Sequence, residues 1–123
     1  MMHIEQLRAY CISKKAVTES FPFDTDTLVF KVLGKMFVLA PLKKWEKGEA
    51  TINLKCNPER TLELRETYES IYSGPYVSNN HWNTIALHSG EVSSDFLKEL
   101  IDHSYDMVVQ NMTKKMQEEL KSF

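Results

Sequence analysis

The chain has 123 residues, of which 42% are apolar and 26% are charged, and its formal net charge is −2. A chain of this length and composition is expected to fold as one globular domain, residues 1–123, rather than to stay disordered or lie within a membrane. The charge balance gives no electrostatic reason to expect a nucleic-acid binder, because proteins that hold phosphates usually carry a basic excess or a basic stripe.

No apolar run reaches the roughly 20 residues of a membrane helix, and the first residues, MMHIEQLR, lack the apolar stretch of a signal peptide. We therefore predict a cytoplasmic protein without a membrane partner. Cys11 and Cys56 lie far apart and have no metal-finger spacing. In a reducing compartment both are expected to be buried thiols rather than a disulfide.

The apolar spacing of Ile4, Leu7 and Cys11 predicts an amphipathic first helix that ends near Lys15. Residues 16–26 interrupt this pattern. They contain the sequence Phe21-Pro22-Phe23, which predicts an irregular connector whose two phenylalanines fill the core.

Residues 27–40, TLVFKVLGKMFVLA, carry the clearest secondary-structure signal. Side chains alternate with a period of two on both sides of Leu33-Gly34, and Gly34 adopts positive φ without steric cost. The pattern predicts a tight β-hairpin that ends at Pro41, which cannot donate to a ladder. Both faces of the hairpin are largely apolar, so we expect helices on one face and partial shelter on the other.

The polar, lysine-rich sequence of residues 42–49 predicts a loop, and this loop carries Trp45. A third strand is expected at residues 50–55, with Ile52 and Leu54 buried and with three side chains turned outward, those of Thr51, Asn53 and Lys55. Asn57-Pro58 is a helix-start signal, because Asn caps free amides and Pro at the first helical position loses no hydrogen bond. This helix is expected to run to about Tyr68 and to bury Leu62, Leu64 and Tyr68.

The Gly-Pro and Asn-Asn signals in residues 71–80 predict a loop, and residues 82–88 predict another strand. Ser93 is expected to cap a long helix that stops near Asn111, and Thr113 is expected to start a short final helix. The core stripe of the long helix is predicted to consist of Leu97, Leu100, Ile101, Ser104 and Val108. The predicted class is therefore α+β, with an antiparallel sheet of about five strands packed against the N- and C-terminal helices.

No catalytic or metal-binding motif is present in the sequence. His3, His81, His88 and His103 have no metal-ligand spacing, and the chain lacks a nucleophile elbow and a glycine-rich phosphate loop. Asp24 and Asp26 have the spacing of a carboxylate pair, but we predict that they cap a turn, because Asp readily accepts hydrogen bonds from neighbouring amides. We predict no enzyme activity, no cofactor and no metal.

Six short segments together resemble the MmcQ/YjbR family in order and spacing. They are Arg8-Ala9-Tyr10-Cys11, Phe21-Pro22-Phe23, Val29-Phe30-Lys31-Val32, Gly34-Lys35-Met36-Phe37, Leu54-Lys55-Cys56-Asn57-Pro58 and His81-Trp82-Asn83-Thr84. The resemblance covers nearly the whole chain. It implies a two-layer α+β fold of the kind found in the bacterial frataxin homologue CyaY, and a DNA-binding role through β-hairpin "wings", known as a double wing. It implies no catalytic residues.

The chain departs from that family at one place. The family commonly has Asn followed by lysine before His-Trp, whereas this chain has Ser78-Asn79-Asn80 and so carries less positive charge there. The first helix also lacks the acidic ridge that iron chemistry would need, so the frataxin-like fold implies no iron site.

Charge is unevenly distributed, with seven bases against three acids in residues 31–60. One hypothesis is a non-enzymatic, weak and sequence-independent DNA-binding module. Its candidate contacts are Lys31, Lys35, Lys43, Lys44, Lys47, Lys55, Trp45 and His81. The alternative is a protein-interaction or adaptor domain with a protein partner and no nucleic-acid role, in which the lysines serve solubility and protect a sheet edge.

The two tryptophans are expected to differ. Trp82 opens an apolar strand and is predicted to be largely buried under the long C-terminal helix. Trp45 lies among lysines and is predicted to be more exposed, either stacking on a nucleic-acid base or covering the end of the sheet.

Overall fold

The computed structural model describes residues 2–74 and 80–123, and these form a six-stranded antiparallel sheet with helices. The sheet order is β1-β2-β3-β4-β6-β5. In chain order the elements are α1 (Ile4–Ile12), β1 (Val17–Ser20), β2 (Thr27–Val32), β3 (Lys35–Pro41), α2 (Leu42–Glu46), β4 (Thr51–Lys55), α3 (Pro58–Thr67), β5 (Ile71–Tyr72), β6 (Trp82–Ala86), a 3-10 turn (Leu87–Ser89), α4 (Ser94–Gln110) and α5 (Lys114–Lys121). The predicted α+β class is confirmed.

The central hairpin is confirmed in both its arms and its turn. β2 and β3 are joined by two residues of positive φ, Leu33 at 47° and Gly34 at 79°. This is the conformation that suits the right-handed twist of a two-residue hairpin. The register shifts between Phe30 and Lys31, because Phe37 is one extra residue in β3 at that point.

Replacing Gly34 with alanine should destabilise the protein by about 1 kcal/mol, because an L side chain is disfavoured at positive φ. No heavy atom lies within 4 Å of the position that a Cβ would take, so the expected loss comes from backbone strain alone. Urea unfolding of Gly34→Ala would measure it, and an unchanged midpoint would contradict this account of the turn.

The helices α1 and α4 cover one face of the sheet and form the main core with it. The predicted stripe of α4 is confirmed, since its five members are all buried: Leu97, Leu100, Ile101, Ser104 and Val108. The Ser93 side chain accepts from the amide of Phe96, and Thr113 caps α5 by accepting from the amide of Met116. Both predicted caps are therefore confirmed.

The prediction for the connector between α1 and β2 was wrong. The first helix ends at Ile12, and residues 17–20 form edge strand β1, which pairs with β2. Phe21 and Phe23 do not fill the core, since 46% and 60% of their surfaces are exposed. The chain reverses at Ala16, whose φ is 60°, and the carbonyl of Ala16 accepts from the Leu33 amide. The two phenylalanines follow β1, in the short connection to β2.

The second face of the sheet is more buried than predicted. Val29 and Leu39, both outside the helix-side core, are 0% and 2% exposed. Thr51 and Asn53, which were expected to point outward to solvent, are also buried, and the Asn53 side chain accepts a hydrogen bond of 2.5 Å from Thr84. Partial shelter of this face is thus confirmed, but the predicted exposure of Thr51 and Asn53 was wrong.

The helix α3 begins as predicted, because the Asn57 side chain accepts from the amides of Glu59 and Arg60. The predicted burial of Leu64 is confirmed, but that of Leu62 was wrong. Leu62 is 53% exposed, and Thr61 is fully buried in its place. In the next segment Ile71–Tyr72 forms β5, where a loop was expected, while residues 75–79 of that predicted loop lie outside the described residues.

His103 on α4 ties this helix to the start of α3. Its Nε2 atom accepts a hydrogen bond of 3.1 Å from the Asn57 amide. Burial and the nearby charge of Arg60 lower the pKa of His103, and the carboxylates of Asp106 and Glu99 oppose this shift. The neutral imidazole is therefore the form that the fold prefers.

Because the folded-state pKa of His103 is below the unfolded value of about 6.5, its contribution to stability is present above that pH. It is lost as the pH falls toward the lower folded-state pKa. Urea unfolding at pH 7.5 and pH 5.5 should show a smaller loss of stability on acidification for His103→Gln than for the parent. Equal losses in both proteins would contradict this role.

Candidate nucleic-acid interface

The structure divides the predicted basic residues between the two ends of the sheet. Lys35 begins β3 and Lys55 ends β4, so both lie beside the Leu33-Gly34 turn, at what we call the hairpin end. Lys31 pairs with Met36 on the same end, and His81 directly precedes β6 there. The remaining candidates, Lys43, Lys44, Lys47 and Trp45, lie in or after α2, which follows the other end of β3.

These two groups do not form one surface. The six steps from Lys35 to Pro41 along β3 correspond to roughly 20 Å of extended chain. Seven of the eight candidates lie within residues 31–55 of the sequence, but the hairpin returns the chain to the opposite end of the sheet before α2 begins. The eight candidate contacts therefore form two groups, one at each end of the sheet.

An open cleft of about 330 Å³ lies at the hairpin end, where β3, β4 and β6 meet the C-terminal end of α4. Polar and apolar side chains line it together: Lys35, Met36, Lys55, Trp82, Val108, Asn111 and Met112. Trp82 is only partly exposed and lies near α4, in agreement with its predicted burial, and it also borders this cleft. It sits opposite Lys55 in the antiparallel register of β4 and β6.

The lysines at the hairpin end have no carboxylate partner among the described residues. The ion pairs of the described part of the chain are Arg8–Glu19, Lys14–Asp102, Arg60–Glu99 and Lys121–Glu118. Lys35 is exposed, while Lys31 and Lys55 are half-buried. Their charges are thus available to an anionic ligand without the loss of an existing ion pair.

Backbone hydrogen bonds hold this end of the sheet in place. The Ser104 hydroxyl accepts from the Lys55 amide at 2.9 Å and donates to the Phe37 carbonyl at 2.6 Å. The Cys56 amide donates to the His81 carbonyl at 2.7 Å. Arg65 donates to the Trp82 carbonyl at 3.1 Å. Lys55 and Trp82 therefore project from a fixed backbone rather than from a loop.

At the opposite end, the prediction of an irregular loop with an exposed tryptophan was wrong. Residues 42–46 form α2, whose first amides donate to Asp26. The Trp45 ring is half-buried against the core, and its indole N–H donates to the Thr51 carbonyl at 2.9 Å. Trp45 therefore covers the end of the sheet, which was one of the two alternatives for this residue.

Asp24 and Asp26 serve the turn between β1 and β2. The Asp24 side chain accepts from the amides of Asp26 and Thr27, and these bonds lower the pKa of Asp24. Asp26 accepts from the Lys43 amide. The predicted capping role of the two aspartates is confirmed.

Sequence reasoning did not include Trp82, Met36, Asn111 or Met112 among the site residues. Met36 directly follows Lys35 in the sequence, whereas Asn111 and Met112 follow the predicted long helix, and only the folded chain brings these two beside Lys35 and Lys55. The His81-Trp82 pair was the one signal in the sequence. Trp82 was assigned to packing, because a tryptophan that opens an apolar strand usually belongs to the core, whereas His81 was predicted as a candidate contact.

The described residues hold no cluster of three or more His, Cys, Asp and Glu side chains that could bind a metal ion. Cys11 and Cys56 are free and buried, and burial raises the pKa of both thiols, that of Cys11 to about 12. Such thiols are poor nucleophiles at neutral pH. None of the helices in the described part of the chain is long and apolar enough to cross a bilayer.

Fold and site together define a small α+β domain with an open antiparallel sheet and a basic cleft at one end. The family model named YjbR matches residues 12–107, and the chain belongs to this family. It is 33% identical over 102 residues to the uncharacterized protein YbdF of Escherichia coli O157:H7, covering 82% of this chain and 80% of YbdF.

Two solved structures are similar to this fold. The crystal structure of protein DR2400 of Deinococcus radiodurans, with a domain designated DUF419, superposes with a TM-score of 0.87 at 35% identity. That match covers 98% of this chain and 89% of DR2400. A protein of Pseudomonas syringae superposes with a TM-score of 0.69 at 24% identity, covering 86% of this chain and 98% of the other, and this likeness concerns the fold alone.

Proposed function

We propose that this protein is a non-enzymatic, cytoplasmic DNA-binding module that contacts phosphates through the lysines of the hairpin end. The observation that supports the proposal most directly is the convergence of Lys31, Lys35 and Lys55, without carboxylate partners among the described residues, on one end of a rigid sheet. Phosphate oxygens are the ligands that ammonium groups in such an arrangement attract.

The proposed contacts predict a particular kind of binding. Lysines directed at phosphates carry no sequence information, so binding should be independent of DNA sequence. Three lysines are few and the net charge of the protein is −2, so the affinity should be micromolar or weaker. His81 lies beside these lysines and belongs to the same surface, whereas Lys43, Lys44 and Lys47 lie outside it.

A titration of labelled duplex DNA at two salt concentrations tests the proposal. Each neutralised phosphate contributes about −0.9 to the slope of log K against log salt, so three contacts should give a slope of about −3. Fluorescence anisotropy at ~50 mM salt should detect binding, and doubling the salt should weaken it several-fold. No binding at the lower salt concentration would reject the DNA-binding function.

A pair of matched double variants locates the surface. Lys35→Glu with Lys55→Glu should reduce DNA affinity at least about tenfold, since two contacts are lost and two repulsions are added. Lys43→Glu with Lys44→Glu changes net charge equally at the opposite end and should reduce affinity much less. Both variants should lose little stability, because exposed charges contribute about 1 kcal/mol or less. Equal effects of the two variants would contradict the assignment to the hairpin end.

A second candidate function is a protein-interaction domain, and the exposure of Phe21 and Phe23 favours it. Two largely exposed phenylalanines on one short loop are unusual at a surface with no contact role. If the DNA titration fails, this loop is the surface to test. Phe21→Ser with Phe23→Ser should then abolish co-purification of a partner from cell extract while leaving the unfolding midpoint nearly unchanged.

A further inference from the structure

We propose that the cleft at the hairpin end receives one unpaired nucleobase, so that the protein binds single-stranded DNA in preference to duplex DNA. This inference rests on the proposed DNA-binding function and specifies its ligand. The occupant is an unpaired base whose flanking phosphates lie on Lys35 and Lys55.

The composition of the cleft matches the two parts of such a ligand. Trp82, Met36, Val108 and Met112 supply apolar surface, whereas a lysine from each of β3 and β4 supplies positive charge. A nucleobase has an apolar face and is joined to charged phosphates. In a duplex the base faces are stacked on each other and only groove edges and phosphates are accessible.

Trp82 provides a stacking surface that is fixed before binding. Its backbone is held in the ladder with β4 and by Arg65, and the ring remains half-buried beside the cleft. Proteins that bind single strands without sequence preference combine aromatic rings with a basic groove, because every base has a face that can stack. A preformed surface also loses less conformational entropy when it binds.

Asn111 adds a polar group that can meet the edge of a base. Its side-chain nitrogen donates to the Met107 carbonyl at 2.9 Å, which fixes the orientation of the amide. Its Oδ1 atom accepts no hydrogen bond from the residues that the structure describes, and so it can accept from a base amino or imino group.

Two other clefts lack this combination. The cleft between α1 and α2 contains Trp45, but Glu5 and Glu46 line it and would repel phosphates. The cleft between α1 and α4 contains Lys98 and Tyr10, but Lys98 already lies over the Tyr10 ring, at 5.5 Å from its centroid. Among these three clefts, the hairpin end alone joins an aromatic wall to two lysines that lack ion-pair partners among the described residues.

The experiment compares a short oligothymidine with a duplex of equal length, in a Trp45→Phe background where Trp82 is the sole tryptophan. Oligothymidine should quench the emission of Trp82 and should bind about tenfold more tightly than the duplex. Trp82→Leu should weaken oligothymidine binding about tenfold, since a stacked base contributes about 1–3 kcal/mol. Trp82→Phe, which keeps an aromatic ring, should retain most of the preference for oligothymidine.

The outcomes separate the two proposals. Binding of duplex and oligothymidine with equal affinity, without quenching of Trp82, would overturn the base-binding cleft and leave the DNA-binding function standing. Binding of neither would reject both. The quenching measurement keeps Trp82 itself, so it decides the question even if Trp82→Leu fails to fold.

Discussion

Replacing Ser104 with alanine is expected to destabilise the protein by about 2–4 kcal/mol, although only one oxygen atom is removed. The paired residues of β3 and β4 end at Val38 and Leu54. At the next position the Ser104 hydroxyl accepts from the Lys55 amide and donates to the Phe37 carbonyl. Alanine would leave the buried Phe37 carbonyl and the partly buried Lys55 amide without this partner, and a buried group without a partner costs about 1–3 kcal/mol.

Urea unfolding measures this effect as the difference in stability between Ser104→Ala and the control variant Ser94→Ala. Ser94 lies at the start of the same helix and is not fully buried, so its replacement should change stability by less than about 0.5 kcal/mol. Amide hydrogen exchange should also show faster exchange at Lys55 in Ser104→Ala. Similar stabilities of the two variants would mean that the hydroxyl bridge contributes little.

The bridge also connects the core to the candidate site. Ser104 was predicted from its spacing to lie on the buried stripe of α4, and it does. Its spacing could not reveal that a polar member of that stripe completes the sheet beside Lys55. If the bridge positions Lys55, then Ser104→Ala should weaken DNA binding as well as stability.

The sequence predicts the hairpin and α4 well because their signals are local. The alternation on either side of Gly34 and the apolar spacing of α4 can each be recognised within one short stretch of sequence. The strand β1 has only four residues and is defined by its pairing with β2, and no pattern within those four residues distinguishes it from a connector. The prediction that Phe21 and Phe23 are buried failed for the same reason.

The tryptophans show why the site itself was harder to predict. Trp45 lies among lysines in the sequence, yet α2 turns its ring toward the core and Thr51 accepts from its N–H. Trp82 begins an apolar strand, yet the end of α4 leaves its ring half-buried beside an open cleft. The exposure of each ring depends on how elements that are distant in the sequence pack together, and local sequence patterns do not show this packing.

The separation of the lysines could have been predicted from the hairpin alone. An antiparallel hairpin puts Lys31 and Lys35 together, and everything after Pro41 then starts from the opposite end of the sheet. The local excess of positive charge was counted along the sequence, where Lys35 and Lys43 are only eight residues apart although they lie at opposite ends of β3. Distance along β3 therefore decides which lysines can act together.

Replacing Gly74 with alanine is expected to destabilise the protein by about 2–3 kcal/mol, for a reason that no turn pattern signals. The φ angle of Gly74 is not positive, so an alanine there would not be strained by its backbone conformation. Instead, a Cβ at this position would lie 1.9 Å from Thr84 Oγ1 and 2.9 Å from Asn53 Oδ1. The threonine would have to rotate or the backbone would have to move, and either change would break the buried hydrogen bond between Thr84 and Asn53.

A double-variant cycle in urea tests this close approach. Thr84→Ala removes the oxygen that the new Cβ would meet, so Gly74→Ala should cost distinctly less in a Thr84→Ala background than in the parent. Gly34→Ala, which meets no neighbouring atom, provides the control, since its cost should be the same in both backgrounds. Additive effects of Gly74→Ala and Thr84→Ala would show that the chain at residue 74 does not pack on this face of the sheet. A coupled result would explain why Asn53 and Thr84 are buried although α1 and α4 cover the other face, because Gly74 would then pack directly on both side chains.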